Sequence, residues 1–407
     1  MQRELVVIGA GAAGLMAATV AARRGAPVLL LEKNRRAGLK ILISGGGRCN
    51  LTTTREGEDL ELQYGQRRGR FLRHALRSFP PAALRAHVER LGVPLHEEDL
   101  EKVFPVSRRA GDVLAALLDD AARAGVEIAY ESPMLGLEAL AEGFAIRTPD
   151  ATIHARYVIL ATGGLSYPKT GATGDGQRAA AGLGHTITPL LPALAPLALE
   201  EPWLMALAGL VLDAELSVAD PQGRVLVRRR RPLLITHRGL SGPAAMDVSG
   251  AVEELAGTGT LRIDLVPDLP REALEASLLE RAAQSGRRSV PQALPAQLPE
   301  RLRQALCRRH GAFELSCAEL RREQRRALVS ELKGLVLPVQ RSLGFAHAEV
   351  TRGGVALDEV EPRTMASRVR PGLFLCGELL DVDGPIGGFN FQAAFATGFL
   401  AGRLGAR

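Results

Sequence analysis

Three features are scarce in this sequence, and the first of them is cysteine. The 407 residues include four cysteines, Cys49, Cys307, Cys317 and Cys376, with no C-x-x-C pair and no metal-ligand spacing. Such isolated cysteines are typical of reduced thiols in the cytoplasm and exclude a disulfide framework. We therefore expect a cytoplasmic protein without a metal site.

Aromatic residues and long apolar runs are the other two. Aromatic residues make up 4% of the chain, so a large surface for stacking nucleic-acid bases is not expected. The only long apolar stretch near the start is interrupted by Gly9, Gly11 and Gly14 and is followed by Arg23 and Arg24. This stretch resembles neither a signal peptide nor a membrane span, so no membrane partner is expected.

What the sequence does contain fits a globular protein of several domains. A chain of 407 residues exceeds one ordinary core, so two or three domains are expected. Its 46% apolar and 24% charged residues are ordinary values for such a protein. The net charge of +6 comes mainly from arginine, and it suits either an anionic cofactor or a nucleic-acid partner.

Residues 4–32 predict one β-α-β unit. The order is an apolar strand, a glycine turn, a helix of small residues and a second apolar strand that ends at Glu32. The turn contains Gly9, Gly11 and Gly14 in the G-x-G-x-x-G spacing of a dinucleotide site. The first glycine permits the tight turn, the second lets the main chain approach a pyrophosphate, and the third brings helix and strand together.

The context of this turn makes it a strong nucleotide-binding signal. The start of a helix offers free N–H groups and the positive end of its dipole to phosphates. Glu32 is placed to accept hydrogen bonds from the hydroxyl groups of an adenosine ribose. The alternative is a glycine-rich turn that binds nothing.

The composition and hydrophobic periodicity change several times along the rest of the chain. Helical signals at 68–92 and 109–124 lead into a short strand, and 142–164 predict a hairpin followed by a buried parallel strand. After about Thr188, proline-rich sequence and short alternating runs predict a small antiparallel β domain. The composition of 270–332 favours helix. An α/β domain split by inserted β and helical domains is therefore expected.

The C-terminal segment decides between NAD and FAD. A strand ends at 376–378, and a glycine loop leads into a helix with Ala394, Gly398 and Gly402 at four-residue spacing. This spacing gives the helix one thin face for close packing. One dinucleotide motif at the start and a cofactor-closing segment at the end favour FAD over NAD. No histidine or cysteine motif indicates a covalent link, so non-covalent FAD is expected.

Six strings carry a resemblance to a known family. They are SGGGRCNLT, ATGGLSYPKTGATGDG, THRGLSGP, VTRGGV, TMASR and GLFLCGELLDVDGPIGGFNFQAAFATG. In this order they resemble the BaiN/YhiN-like family of bacterial flavoproteins, from Val6 to about Gly402. The resemblance implies an α/β protein with a split Rossmann-type FAD-binding domain, an inserted antiparallel β-barrel domain and a small helical domain.

The resemblance and the changes of composition and periodicity together set the expected domain boundaries. The FAD-binding domain is expected at 1–188 and 350–407, and the β-barrel domain at 189–268 and 332–349. The helical domain is expected at 269–331.

The resemblance also implies a flavin-contacting loop from Ser44 to Asn50. Consecutive glycines let main-chain N–H groups converge on an oxygen atom. Arg48 would place positive charge near the flavin or its phosphates, and Asn50 would hydrogen-bond the ring edge. The alternative is a tight interdomain turn with an exposed arginine. Thr53 stands where relatives often have asparagine, so no contact from that amide is carried over.

By the same resemblance, the C-terminal segment contacts the rest of the cofactor. Gly377, Glu378 and Asp381 are expected along the ribityl chain, where a carboxylate suits the hydroxyl groups. Residues 387–390 are expected near the ring. Phe389 replaces a frequent tyrosine, so no phenolic proton donor is available at that position.

The expected cofactor-binding residues form one set. They are Gly9, Ala10, Gly11, Ala12, Ala13, Gly14, Glu32, Lys33, Ser44, Gly45, Gly46, Gly47, Arg48, Cys49, Asn50, Ala161, Thr162, Gly163, Gly377, Glu378, Asp381, Gly387, Gly388, Phe389 and Asn390. Asp175 lies in a segment that resembles the substrate side of fumarate-reductase-like flavoproteins. Its alternative role is that of a helix N-cap.

Four residues are candidates for the chemistry, namely Arg48, Cys49, His237 and Asn390. His237 follows a predicted strand of the inserted β domain. Histidine is a residue type that can transfer protons near neutral pH, so a role as proton donor competes with a structural one. Cys49 and Cys376 lie beside cofactor motifs. Their thiols would donate a proton or form an adduct, and the alternative is simple packing.

The leading interpretation is an FAD-dependent oxidoreductase. Hydride would pass between flavin N5 and a substrate held between the FAD domain and the barrel. The chain has no second G-x-G-x-x-G motif, so NAD(P)H would act as a transient reductant in the same cleft, or oxygen would reoxidise the flavin. The substrate class is a small metabolite such as an amine or an unsaturated compound. No stable protein partner is implied.

Two other interpretations stay open. One is the reduction of uridine to dihydrouridine in ribosomal RNA, with arginine runs at 65–70, 228–231 and 321–326 holding the RNA backbone. The alternative for these runs is a solvated surface. The other interpretation is a non-catalytic FAD-binding interaction protein in which the flavin is structural.

Overall fold

The computed structural model describes residues 2–284 and 288–405. The strands are β1 (Gln2–Ile8), β2 (Val28–Leu31), β3 (Thr52–Thr53), β4 (Leu95–Glu98), β5 (Lys102–Pro105), β6 (Glu127–Ala129), β7 (Gly136–Ala139), β8 (Phe144–Arg147), β9 (Thr152–Leu160), β10 (Leu191–Ala193), β11 (Leu197–Ala198), β12 (Val211–Ala219), β13 (Val225–Thr236), β14 (Gly239–Ser241), β15 (Thr260–Asp264), β16 (Leu335–Leu337), β17 (Val350–Arg352) and β18 (Leu373–Leu375).

The α-helices lie between these strands, singly or in succession, and after the last of them. They are α1 (Ala12–Arg23), α2 (Leu39–Gly47), α3 (Gly57–Leu62), α4 (Gly65–Ser78), α5 (Pro81–Arg90), α6 (Ala110–Arg123), α7 (Asp175–Gly182), α8 (Pro202–Met205), α9 (Gly242–Glu254), α10 (Arg271–Gln284), α11 (Val290–Ala293), α12 (Glu300–Arg309), α13 (Arg322–Leu332) and α14 (Phe389–Ala401). Short 3₁₀ helices cover Pro168–Thr170, Leu357–Glu359 and Gly377–Leu379.

The first unit, residues 1–192 and 348–407, is built on a mostly parallel sheet. Its strand order is β6-β2-β1-β9-β8-β7, and β18 also pairs with β9. The strands β6, β2, β1, β9 and β18 are parallel, whereas β8 and β7 are antiparallel. Val6 lies opposite both Leu29 and Val158, and all three are buried, as expected for strands covered on both faces. The Rossmann-type α/β expectation is confirmed.

The carboxyl ends of the parallel strands meet at one edge of this sheet. Gly9 follows β1, Glu32 follows β2, Ala161 follows β9 and Cys376 follows β18. In doubly wound sheets, ligands bind beyond this edge at the point where the strand order reverses. The fold therefore brings together motifs that are far apart in the sequence.

The thin face expected on the last helix packs against the first helix. A Cβ atom on Gly398 would lie 2.4 Å from the carbonyl oxygen of Ala13, and one on Gly402 would lie 2.4 Å from that of Ala17. Because any larger residue would clash there, the glycines set the close approach of α14 to α1. On its other side α14 contacts α4, and β3, β5 and β4 form a separate small antiparallel sheet.

The second unit, residues 193–347, has its own core around an antiparallel sheet. The strand order is β11-β14-β13-β12-β15-β16, and helix α9 packs on β13 and β12. Leu216 of the sheet, Val248 of α9 and Leu302 and Leu328 of the later helices are buried in one common cluster. The sheet and the helical segment therefore share one core, whereas their different sequence composition suggested two separate domains.

The outer limits of this unit lie close to the expected insertion at 189–349. The expected helical domain at 269–331 includes 285–287, which lie outside the described residues. Among the described pairings the sheet stays open, with one bridge between Leu197 of β11 and Ser342. Full closure into a barrel stays a prediction.

Candidate functional site

The three glycines of the first turn face three different environments. Gly9 has φ of +105°, and a Cβ atom there would lie 2.6 Å from the carbonyl oxygen of Ala161. A Cβ atom on Gly14 would lie 1.8 Å from the carbonyl oxygen of Gly9. Helix α1 can therefore pack against the turn only when residue 14 is glycine. Around Gly11 nothing lies within 4 Å of the added atom. This open space at the start of α1 fits a pyrophosphate.

Glu32 is held at the same edge by main-chain and side-chain donors. It is buried, and its Oε2 accepts a hydrogen bond of 3.0 Å from the N–H of Ala10. Its Oε1 accepts hydrogen bonds from the main-chain N–H and the side-chain amide of Asn34, at 2.9 and 2.7 Å. Oε2 keeps a second lone pair for a ribose hydroxyl. Asn34 was not predicted from the sequence.

The end of β9 adds a further polar group to this site. The Oγ1 atom of Thr162 is buried without a hydrogen-bond partner in the part of the chain that the structure describes. An unpaired buried hydroxyl of this kind is uncommon in native proteins. At Gly163 an added Cβ atom would again meet nothing within 4 Å. The donor set and the open space therefore fit a dinucleotide cofactor.

Lys33 and Asp175 pair with each other at the start of α7. Lys33 Nζ lies 2.6 Å from a carboxylate oxygen of Asp175 and 2.7 Å from the hydroxyl of Thr173. Partial burial acts to raise the pKa of Asp175, but the hydrogen bonds from Lys33 and Thr173 outweigh it, and the pKa of Asp175 is lowered. The N-cap position belongs to Gly174, so the expectation of an Asp175 N-cap is corrected: Asp175 is the first helical residue.

The glycine triplet ends helix α2 with a left-handed turn. Ser44 has extended backbone, and Gly45, Gly46 and Gly47 have φ of +55°, +70° and +85°. Successive residues in this region need glycine, because a side chain strains the backbone there. An added Cβ atom on Gly45 would lie 2.9 Å from the Phe104 ring, whereas Gly46 faces open space. The triplet therefore makes a compact turn with one open side.

Arg48 follows this turn and forms an ion pair with a carboxylate. Its guanidinium lies 3.0 Å from Glu98 and 4.3 Å from the centre of the Phe104 ring, and its Nε donates to the carbonyl of Gly45. Burial acts to raise the pKa of Glu98, but the hydrogen bonds from His96 and Arg48 outweigh it, and the pKa of Glu98 is lowered. Arg48 therefore shares the Glu98 carboxylate with His96 and Arg108, which lie 3.1 and 3.5 Å from it. Its expected position near the flavin stays a prediction.

Asn50 and Asn390 fix the loop before α14 through their amides. With its amide oriented by its neighbours, Asn50 accepts from the N–H of Gly388 at 3.0 Å and donates to the carbonyl of Thr52. Asn390 accepts from the N–H of Gly384 and donates to its carbonyl, both at 2.9 Å. In both amides, the oxygen and the nitrogen are each bound to a main-chain group. The side chain of the catalytic candidate Asn390 therefore holds the loop in place.

The same loop is anchored by charged side chains from two other elements. Asp381, expected at the ribityl chain, accepts a hydrogen bond of 2.8 Å from Arg68 of α4. Asp383 accepts from Arg352 of β17 at 2.9 Å and lies 3.1 Å from Arg68. Both carboxylates are buried. Arg352 and Asp383 were not predicted, and Arg68 was named only within the arginine run 65–70, since nothing in their spacing marks these residues as partners.

Phe389 begins α14 as a buried residue. The hydroxyl of Tyr64 donates to the carbonyl of Phe389 at 2.7 Å, and the two rings meet edge to face. Gly388 has φ of +86°, and a Cβ atom there would lie 2.1 Å from the carbonyl oxygen of Thr52. Gly387 has φ of +135°. The helix start expected near the flavin ring is therefore held by a side-chain hydrogen bond and by close glycine packing.

The remaining candidates for the chemistry differ in exposure. Burial raises the pKa of the Cys49 thiol to about 12, against a smaller opposing effect of a hydrogen bond with Ser44. Burial also raises the pKa of Cys376 to about 12. Both thiols are therefore neutral near pH 7. His237 lies exposed in the turn between β13 and β14 of the second unit.

The comparison with protein families gives a match along nearly the whole chain. The family described as "HI0933-like protein Rossmann domain" matches residues 3–404. The chain belongs to the HI0933-like family. This confirms the resemblance expected from the six strings.

Relatives within this family are of similar length. The HI0933-like chain is 34% identical to the 3-dehydro-bile acid delta(4,6)-reductase of Clostridium scindens, over 98% of each protein. It is 32% identical to the ribosomal RNA dihydrouridine synthase of Escherichia coli (strain K12), over 97% of this chain and 96% of that relative.

A solved structure shares the fold at low sequence identity. The 3-ketosteroid delta1-dehydrogenase of Sterolibacterium denitrificans matches with a TM-score of 0.52 and 15% identity, over 99% of each chain. The family match and the site geometry make this chain an FAD-dependent oxidoreductase. In residues 2–284 and 288–405, no helix has the length and apolar character needed to cross a membrane.

Proposed function

We propose that this chain is an FAD-dependent reductase that acts on a carbon–carbon double bond conjugated to a carbonyl group in a small molecule. The observation that carries this proposal is the 34% identity over 98% of both chains to a delta(4,6)-reductase of a 3-dehydro-bile acid. A 3-oxo group conjugated with ring double bonds is an electron-poor alkene, which accepts hydride at the carbon remote from the carbonyl. When bound, FAD would supply that hydride.

The first unit would hold the two ends of the cofactor with different devices. Gly9, Gly11 and Gly14 with the start of α1 would bind the pyrophosphate, and Glu32 the adenosine ribose. The loop before α14 would hold the ring end. The positive end of the α14 dipole would favour the negative charge that reduction adds there. Because this loop is anchored from several elements, little reorganisation would be needed on binding.

The reaction also needs a proton for the second carbon of the alkene. Cys49 is poorly suited to supply it, because burial raises its pKa to about 12. The amides of Asn50 and Asn390 are bound to the main chain. We propose His237 of the second unit as the proton donor, because it is exposed and histidine is a common general acid. NAD(P)H is the proposed source of electrons.

A second candidate substrate is uridine in ribosomal RNA. The 32% identity to a ribosomal RNA dihydrouridine synthase favours it, and the uracil double bond is also conjugated to a carbonyl. The arginine run of β13 argues against it, because most of its charge is balanced locally. Arg228, Arg230 and Arg231 lie 3.5, 2.7 and 3.4 Å from Glu215, Asp213 and Asp247. The non-catalytic interpretation is set aside, since relatives that cover the whole chain are enzymes.

One experiment separates the two substrates. The FAD-loaded protein is reduced without oxygen and mixed either with a 4-en-3-oxo steroid or with a uridine-containing ribosomal RNA transcript. Reoxidation of the flavin is followed by absorbance, and the product by mass spectrometry. We expect rapid reoxidation and a product with two added hydrogen atoms for the enone alone. Turnover of the RNA, without turnover of the enone, would assign the RNA as substrate and contradict the small-molecule proposal.

A further inference from the structure

Lys40 is a charged residue of the first unit that no sequence motif singled out. It lies on α2, ahead of the glycine triplet, and its Nζ is 2.6 Å from Oε2 of Glu378. It also donates to the hydroxyl of Ser166. The side chains of Lys40 and Glu378 are only 26% and 17% exposed, so water screens this pair weakly. The pair joins two segments that are far apart in the sequence.

The carboxylate of Glu378 is fixed on its other oxygen as well. Oε1 accepts hydrogen bonds of 2.8 Å from the hydroxyl of Ser166 and from the main-chain N–H of Thr351. A Cβ atom on Gly164 would lie 2.8 Å from this oxygen, so the space beside it exists only because residue 164 is glycine. Three other chain segments therefore converge on one carboxylate, which is the arrangement of a built site.

The chain next to Glu378 touches both helices that the proposed function assigns to the cofactor. A Cβ atom on Gly377 would lie 2.8 Å from the Cβ of Ala13 in α1. The N–H of Gly377 donates to the hydroxyl of Thr397 in α14 at 3.0 Å. Glu378 thus follows a residue that packs between α1 and α14. A carboxylate at this position can accept hydrogen bonds from the hydroxyl groups of a ribityl chain.

We propose that Lys40 is a positioning residue for the cofactor. Its ammonium group fixes the Glu378 carboxylate and balances its charge beside the flavin. The proposal rests on the proposed function, because it needs FAD in the first unit. Without Lys40, a partly buried carboxylate would be left without its counter-ion, which disfavours the arrangement. Its negative charge would also oppose the negative charge that reduction adds to the flavin.

The test compares Lys40→Met, Lys40→Arg and Glu378→Gln with a matched control. Lys333→Met in the second unit removes a lysine that is also 2.6 Å from a carboxylate, that of Asp264, with 17% and 20% exposure. FAD dissociation constants, flavin midpoint potentials and melting temperatures are measured for each. Lys40→Met should weaken FAD binding by about tenfold, as expected for the loss of one charge-assisted contact.

The midpoint potential gives a signature that a merely structural role would not produce. Lys40→Met should lower the potential and Glu378→Gln should raise it, because the two changes alter the local charge in opposite directions. Lys40→Arg should restore most of the wild-type value. Lys333→Met should change only the melting temperature.

The outcomes separate this inference from the proposed function. Unchanged FAD affinity and potential in Lys40→Met would overturn the role of Lys40 while leaving the proposed function intact. Potentials that move in the same direction in Lys40→Met and Glu378→Gln would also overturn it. A wild-type protein that binds no FAD would overturn the proposed function itself.

Discussion

At the scale of single residues, neighbouring positions of one motif require glycine for different physical reasons. Gly9 and Gly14 are required by the protein's own packing, since added Cβ atoms would lie 2.6 Å and 1.8 Å from carbonyl oxygens. Gly11 is not, because nothing of the protein lies within 4 Å of such an atom. A glycine that the fold itself does not require points to a ligand that needs the space.

The first prediction follows from this difference. Gly11→Val should fold normally and lose FAD binding, because its side chain fills the space for the pyrophosphate. Gly111→Val is the matched control, since Gly111 in α6 also has no neighbour within 4 Å of an added Cβ atom. FAD content is read from the visible spectrum after purification, and folding from the melting curve. Wild-type FAD content in Gly11→Val would contradict the nucleotide-site assignment.

The second prediction concerns the thiols. Burial raises the pKa of Cys49, Cys307 and Cys376 from an ordinary 9.0 to about 12, and all four cysteines are buried. A raised thiol pKa means that the folded state holds the proton more tightly. These groups therefore leave stability unchanged below pH 9 and reduce it as pH rises from about 9 towards 12.

The native protein should accordingly show no thiol that reacts with a bulky disulfide reagent at about pH 8, and all four should react after unfolding. Ala115→Cys, placed on the exposed side of α6, is the control that should react at once. Stability measured by denaturant unfolding should fall between about pH 9 and 11. Rapid labelling of Cys49 in the native state would contradict this prediction and make Cys49 a candidate for the chemistry again.

At the scale of elements, local patterns were sufficient for the nucleotide-binding unit. The strands β1 and β2 and helix α1 lie where residues 4–32 predict them, because apolar runs, small residues and glycine turns act over a few residues. The Gly398 and Gly402 face of α14 also packs as predicted. In the inserted unit, alternation predicts individual strands but not the pairing of edge strands, so closure into a barrel was not determined by that signal.

The charge pairs of the site could not be predicted in the same way. Lys40 meets Glu378, and Arg68 meets Asp381, across more than 300 residues. Arg48 meets Glu98 only because β4 and β5 form a hairpin beside the glycine turn. Such partners depend on tertiary contact and not on sequence period. The sequence therefore predicts which segments contact the cofactor, and the structure shows which side chains of those segments are paired with each other.

The third prediction belongs to strand β13. Three of its four arginines are paired with carboxylates, whereas Arg229 donates to the neighbouring carbonyl of Arg228. If RNA binds at all, replacing all four with glutamine should reduce the slope of log affinity against log salt by about 0.7, the value for one phosphate contact with a single strand. Arg229→Gln alone should give the same change. RNA binding over a salt series measures both, and a reduction of two or more units would contradict this assignment.

At the scale of the whole molecule, the proposed cofactor residues and the proposed acid lie in different units. The expected FAD contacts, from Gly9 to Asn390, all belong to the first unit, and His237 belongs to the second. Each unit has its own hydrophobic core. Cofactor binding and turnover should therefore be separable by removing one segment of the chain.

The last prediction is that a protein with residues 193–347 replaced by a short glycine-serine linker keeps FAD binding and loses turnover. The segments that lead to the two ends are adjacent, because β10 pairs with β17 and the N–H of Thr188 donates to the carbonyl of Gly354 at 2.9 Å. A short linker therefore closes the gap without straining the first unit.

His237→Gln in the full chain is the matched variant. It should also bind FAD normally and should lower turnover about a hundredfold or more, the usual effect of losing a general acid. Titration of FAD into both proteins and steady-state assays with the enone measure the two properties. A shortened protein that melts cooperatively but binds no FAD would place part of the cofactor site in the inserted unit. Normal turnover in His237→Gln would remove that residue from the chemistry.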